Sequence, residues 1–187
     1  MLFDDISHDG RLWAVRYDDE PDNVLSVTFA QWSDVEWLRL FFMENKKDLE
    51  SYFRVTDVDK AIFDTLEDNE RLQCLILDLS PDADLEELFR PLDNNQTVAL
   101  MLDKEKARPK REHGHFSWLR LYAIRLEEGA FIITGGAIKL TYQMHERAHT
   151  LHELLKMDQV RNFLLAVGVV DKDSFLDYQE SQYYYYG

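Results

Sequence analysis

The sequence predicts an α+β fold: an antiparallel sheet with an N-terminal hairpin, then helices, then a C-terminal hairpin and a long helix. Three observations carry this. Residues 118–126 and 131–140 are two runs of β formers around Glu127, Glu128 and Gly129, the pattern of a hairpin. Ser33 with Glu36, and Thr150 with Glu153, have the capping-box spacing that opens a helix. The chain has 187 residues and is 45% hydrophobic, which fits one domain spanning residues 1–187 with a core of ordinary size.

Each element follows from local chemistry. Residues 12–17 and 24–29 are rich in β formers, and the turn-forming stretch between them holds Pro21 and Asn23, so they read as the N-terminal hairpin. The helix opened by Ser33 runs to about Lys47, with Trp37, Leu38, Phe41 and Phe42 on its apolar face. Thr56 with Asp59 opens a second helix, which turns Ile62, Phe63, Leu66, Leu75, Ile76 and Leu79 inward. Asp68, Asn69 and Glu70 can interrupt it, and Pro81 stops it. Cys74 lies in an apolar run and reads as a small buried hydrophobe. A short acidic helix over 84–89 ends at Arg90, because the residue before Pro91 is driven out of helical geometry.

Residues 103–116 read as an exposed basic loop that includes Lys110 and Arg111, with a short turn or strand before it over 98–102. In the second strand of the C-terminal hairpin, Gly135 and Gly136 mark a bulge or a close backbone approach. A shorter strand is possible over 140–144. The last long helix runs from Leu151 to about Val167, with Gly168 as its stop. Leu151, Leu154 and Leu155 share one face, whereas Val160, Phe163, Leu164 and Val167 lie about half a turn away. The helix is therefore buried on two sides or breaks near Met157 and Asp158. Residues 171–176 form one last turn, and the tyrosine-rich tail 179–187 reads as frayed.

Composition narrows the function classes. The single cysteine rules out an intrachain disulfide and argues against a cysteine-based zinc site. No run of about 18 apolar residues exists, so no membrane span is expected. The start of the chain lacks the pattern of a secretory signal, and a cytoplasmic location is expected. The net charge of −15 speaks against nucleic acid as a partner, yet the charge is uneven. Residues 1–103 hold 9 basic and 25 acidic side chains, whereas residues 104–161 hold 11 basic and 7 acidic. A basic middle between acidic flanks points to a local anion-binding face.

Residues 145–149 match the HExxH zinc pattern, which is specific only within a helix. Here it falls before the cap at Thr150, so no metal is expected and no cofactor is implied. The sequence lacks the glycine-flanked serine of a hydrolase elbow and the spacing of a phosphate loop. What is left is cationic: Arg120, Arg125, Lys139, Arg147 and His149 gather on the hairpin and the loop after it. Cations on a sheet can clamp a phosphodiester, and a histidine can carry a proton. Arg120 and Arg125 are an odd number apart and point to opposite faces of a regular strand. Unless a bulge intervenes, one of them joins Lys139, and Arg125 is the choice here.

Leu119 to Arg125, the turn, Phe131 to Thr141 with Lys139, and a capped helix together resemble the C-terminal half of RelE/HigB-type toxins, in particular the phage-related branch. The resemblance covers roughly residues 85–165 and is one of pattern. It implies a small α+β fold and a ribonuclease that cleaves messenger RNA, often on the ribosome, and is neutralised by an antitoxin protein. By position, Arg125 and Lys139 match the family's basic strand residues, and Arg147 and His149 match loosely. The catalytic set is then Arg125, Lys139 and His149, with Arg120, Lys110, Arg111 and Arg147 contacting RNA. The chain is longer and more acidic than such toxins. The alternative is a non-catalytic interaction protein whose acidic residues 1–103 bind a basic partner or mask the basic face of the same chain.

Overall fold

The computed structural model describes residues 1–18, 20–80, 82–93, 102–109, 116–127 and 129–186. Strands β1 (Leu2–Asp5), β2 (Leu12–Arg16), β3 (Phe89–Pro91), β4 (Lys104–Ala107), β5 (Leu119–Glu127) and β6 (Ala130–Ile138) form one sheet in the order β1-β2-β6-β5-β4-β3. The helices are α1 (Val24–Ser33), α2 (Val35–Glu44), α3 (Lys46–Phe53), α4 (Val58–Leu77), α5 (Leu85–Leu88), α6 (Ala148–Ala166) and α7 (Lys172–Tyr186). The α+β class holds, but the sheet is mixed rather than wholly antiparallel. β2 runs parallel to β6, which the long helical crossover between them allows. No helix among the described residues is long and apolar enough to cross a membrane.

The N-terminal hairpin exists one element earlier than expected. It is β1 against β2, and residues 24–29 lie in α1. Asn23 caps that helix by accepting a hydrogen bond from the Ser26 amide at 3.1 Å. Its buried positions, Val24, Leu25, Thr28, Phe29 and Trp32, keep helical spacing, so burial overrides the β preference of Val and Thr. Aspartates supply the next caps. Asp34, not Ser33, caps α2 through the amides of Glu36 and Trp37, and Asp57, not Thr56, caps α4. Each aspartate offers a carboxylate to free amides at the positive end of a helix.

α4 runs unbroken through Asp68, Asn69 and Glu70. Asn69 tolerates burial because its amide donates to the Phe29 carbonyl at 3.2 Å and the Ser33 hydroxyl at 2.9 Å. Ile62 and Ile76 face inward as expected, whereas Phe63, Leu75 and Cys74 are exposed.

The C-terminal hairpin is β5 against β6, and the glycine pair shows why it is needed. A Cβ at Gly135 would lie 1.8 Å from the Glu153 carboxylate of α6. One at Gly136 would lie 2.7 Å from Thr28 and 3.0 Å from Trp32 of α1. Helices on both faces of the sheet therefore press on consecutive glycines. The bulge is real and lies beside them: Tyr122 pairs with Gly135 and Ala123 with Ile133, which leaves Thr134 unpaired.

No third strand follows. Residues 141–143 form a bend and Met144–Glu146 a 3₁₀ turn. α6 starts at Ala148, earlier than predicted, because the Thr150 hydroxyl donates to the carbonyls of Met144 (2.5 Å) and Arg147 (3.1 Å) instead of capping a later start. It neither breaks nor buries two faces. Its single inward stripe is Thr150, Glu153, Met157, Val160 and Leu164, and two polar members hide it from a reading of apolar residues. Gly168, at φ +85, stops it as expected. Beyond the predicted last turn, α7 continues through the segment expected to fray, as far as Tyr186.

Candidate anion-binding cleft

The expected basic loop contains a strand. In β4, Lys104, Glu105, Lys106 and Ala107 alternate between the two faces of the sheet, and Glu105 and Ala107 are buried. Lys110 and Arg111 lie outside the described residues. Register places Arg90, Lys106, Tyr122 and Gly135 opposite one another across β3, β4, β5 and β6, all on the face that carries α6. Lys104 is covered there, since its ammonium pairs with Asp158 of α6 at 2.6 Å. Lys106 lies past the helix, where a cleft of about 1010 Å³ opens.

The bulge decides which cations meet in that cleft. Arg120 and Arg125 point to opposite faces, as predicted, because β5 has no extra residue between them. On β6, however, Thr134 is extra, so every residue after it changes face. Ala137 pairs with Arg120, and Lys139 follows on the same side. The expected partnership of Lys139 with Arg125 is therefore replaced by one with Arg120. Lys106, Arg108, Arg120, Lys139, Arg90 and His145 line the cleft together with Tyr122 and Tyr142. Glu87 and Asp93 also line it, so among the described residues cations are in excess.

The electrostatics show the crowding. Burial, then the charges of Lys139, Arg120 and Arg108, push the Lys106 ammonium down to about 8. Burial and then Arg120 push Lys139 down as well. Burial lowers Arg120 to about 10; Arg108 adds to this, and Tyr122 and Asp68 oppose it. The cations are steadied by carbonyl oxygens. Arg120 donates to those of Ser117 and Leu119, each at 2.6 Å, Lys106 to that of Leu92 at 2.7 Å, and Lys139 to that of Tyr142. A carbonyl orients a cation without neutralising it, so Arg120 and Lys139 keep charge for an anion. The Tyr122 hydroxyl is buried and has no hydrogen-bond partner among the described residues. Such a group carries an unmet desolvation cost.

The other predicted site residues are engaged elsewhere. Arg125 is 8% exposed, pairs with Glu86 of α5 and lies 5.7 Å from the centre of the Phe131 ring, on the opposite face of the sheet. The Nε2 atom of His149 is 2.9 Å from the Ile138 carbonyl, and its ring meets Phe41 edge to face at 5.2 Å. It thus ties the start of α6 to the end of β6. Arg147 forks onto Asp48 of α3 with two contacts of 2.6 Å. Of the proposed catalytic set only Lys139 lies in the cleft, and of the RNA-contacting set only Arg120 among the described residues. His145, in the HExxH match, is in the 3₁₀ turn and His149 in α6. Among the described residues no three His, Cys, Asp or Glu side chains are grouped to hold a metal ion.

Sequence reasoning placed none of Lys106, Arg108, Arg90, Tyr122 and His145 in an anion site: Lys106 and Arg108 fell in the expected basic loop, and His145 was weighed only as a metal ligand. One signal was present: Lys104 and Lys106 alternate with Glu105 and Ala107, the period of a strand. Comparison with protein-family models, with curated proteins and with solved structures finds no match to this chain.

Proposed function

We propose that this chain is an RNA-directed protein of the RelE/HigB toxin type that holds the phosphate backbone of RNA in the cleft. The observation that carries the proposal is the convergence of Lys106, Arg108, Arg120 and Lys139 on one concave face, with Arg120 and Lys139 oriented by carbonyls. Phosphate oxygens complement such a site, and Arg gives it bidentate geometry. The overall charge of −15 does not oppose this, because the field within a cleft follows its own lining. In this reading Arg120 takes the place first given to Arg125. Messenger RNA cleavage, which the resemblance implies, draws on His145 for proton transfer, because it lines the cleft. An antitoxin-like protein is the expected partner.

The test is a titration of a labelled single-stranded oligoribonucleotide followed by fluorescence anisotropy over a range of salt concentrations. Affinity falls with salt at a log–log slope of about −0.7 for each phosphate neutralised. Lys139→Met and Arg120→Met should each weaken binding and make the slope shallower by about 0.7. Arg147→Met, which removes a cation outside the cleft, should leave the slope unchanged. Equal slopes in all four proteins would refute the site. Loss of RNA cleavage in His145→Ala, with binding retained, is the expected result for the catalytic step.

A second reading, a non-catalytic interaction protein, is favoured by one observation. An adjoining groove of about 1070 Å³ between α4 and α5, which shares Glu87, Leu88 and Arg108 with the cleft, is lined by Cys74, Leu75, Leu79 and Leu85 and bordered by Glu67, Glu70, Asp78 and Asp84 as well as Arg71. Its chemistry suits a basic amphipathic segment. Leu75→Asp separates the two readings: it should abolish partner binding in this groove and leave oligonucleotide binding intact.

A further inference from the structure

Tyr142 is 81% exposed, the highest value among the exposed large apolar side chains described. A tyrosine ring in water is usually mobile, but this one is propped. The Tyr52 ring of α3 meets it at 4.9 Å and 85°, an edge-to-face geometry that aromatic pairs favour. Tyr52 itself contacts Glu146, its hydroxyl lying 3.4 Å from the carboxylate. The same carboxylate accepts the Gln143 amide at 2.5 Å, in a capping box that closes the turn after Tyr142. Finally, Lys139 donates to the Tyr142 carbonyl. One short segment thus ties an exposed aromatic face to a cation of the cleft, and both line it.

A second exposed aromatic stands near the cleft. The Phe116 ring lies 4.9 Å below the guanidinium of Arg108, itself a lining residue. Cations alone would suit any polyanion. Cations interleaved with exposed, oriented rings suit a polyanion that also carries flat apolar faces. Single-stranded nucleic acid offers these, because its bases are free to stack on aromatic side chains, whereas a duplex hides its base faces. Building on the RNA reading of the cleft, we infer that its ligand is single-stranded RNA, with one unpaired base stacked on Tyr142 and the adjoining phosphate held by Lys139 and Arg120.

The experiment compares full-length wild type, Tyr142→Ala and Tyr142→Phe by fluorescence anisotropy. The probes are a short mixed-sequence oligoribonucleotide, the same strand annealed to its complement, and inorganic tripolyphosphate as a competitor. Tyr142 is exposed, so the fold tolerates both variants, and its carbonyl still serves Lys139. The expected result is a preference of wild type for the single strand. Tyr142→Ala should weaken single-strand binding roughly 5- to 160-fold, the range of one lost base stack, while Tyr142→Phe retains it. Competition by tripolyphosphate should be unchanged in both variants. If Tyr142→Ala binds the single strand as wild type does while Lys139→Met loses it, the stacking inference is overturned and the phosphate cleft stands. Equal affinity of wild type for duplex and single strand also overturns it. If wild type binds neither oligonucleotide nor tripolyphosphate, the cleft reading fails and the inference with it.

Discussion

Glu105 allows a quantitative test of the sheet's other face. Its side chain projects from β4 toward Arg125, is 1% exposed, and has no hydrogen-bond partner for either oxygen among the described residues. Burial raises its pKa from 4.5 to about 7; Arg125 opposes the rise, and Glu86 and Asp103 add to it. At 1.36 kcal/mol per pH unit, that rise corresponds to roughly 3 kcal/mol. The native state holds the proton more tightly than the unfolded chain. Stability should therefore fall as pH rises from about 4.5 to about 7 and stay flat beyond that window. Glu105→Gln keeps the shape and removes the charge. The variant should match wild type near pH 4.5 and exceed it by up to about 3 kcal/mol at about pH 8. Urea unfolding followed by the fluorescence of the buried Trp32 and Trp118 reads the difference, and other carboxylates cancel between the two proteins. A stability difference that does not change with pH would refute the reasoning.

Three further outcomes follow from the geometry. Because Lys106 is held down to about 8, it loses charge as pH rises through that value. Oligonucleotide affinity measured by anisotropy should fall over that range in wild type, and this fall should be smaller in Lys106→Arg. Gly136→Ala drives a methyl group against Thr28 and Trp32 and should destabilise by about 1–3 kcal/mol in denaturant titration, the usual cost of overpacking. In Thr65→Val, the Trp118 Nε1–H loses its acceptor at 2.9 Å in the core, and urea unfolding should show a loss of about 1–3 kcal/mol.

Much of the candidate site was legible only in part. Opposite facing of Arg120 and Arg125 follows from strand parity and held, and so did the disturbance at the glycine pair. Their combination was not legible, because sequence does not say which residue beside a glycine pair goes unpaired. Had β6 been regular, Lys139 would share a face with Arg125. Thr134 as the extra residue puts it with Arg120. The caps show a similar limit: Ser33 and Thr56 have capping-box spacing, yet the neighbouring Asp34 and Asp57 hold the amides. Capping is a competition between adjacent acceptors.

By itself, the sequence determined the α+β class, the β5–β6 hairpin, the stop at Gly168 and the basic character of residues 104–161. These rest on interactions within a few residues of one another: turn chemistry, glycine conformation and composition. Tertiary structure alone decided that residues 24–29 are helical, that residues 104–107 join the sheet, and which cations face each other. Those outcomes depend on burial against distant elements and on register between strands, and one unpaired residue in β6 is enough to turn a side chain to the other face.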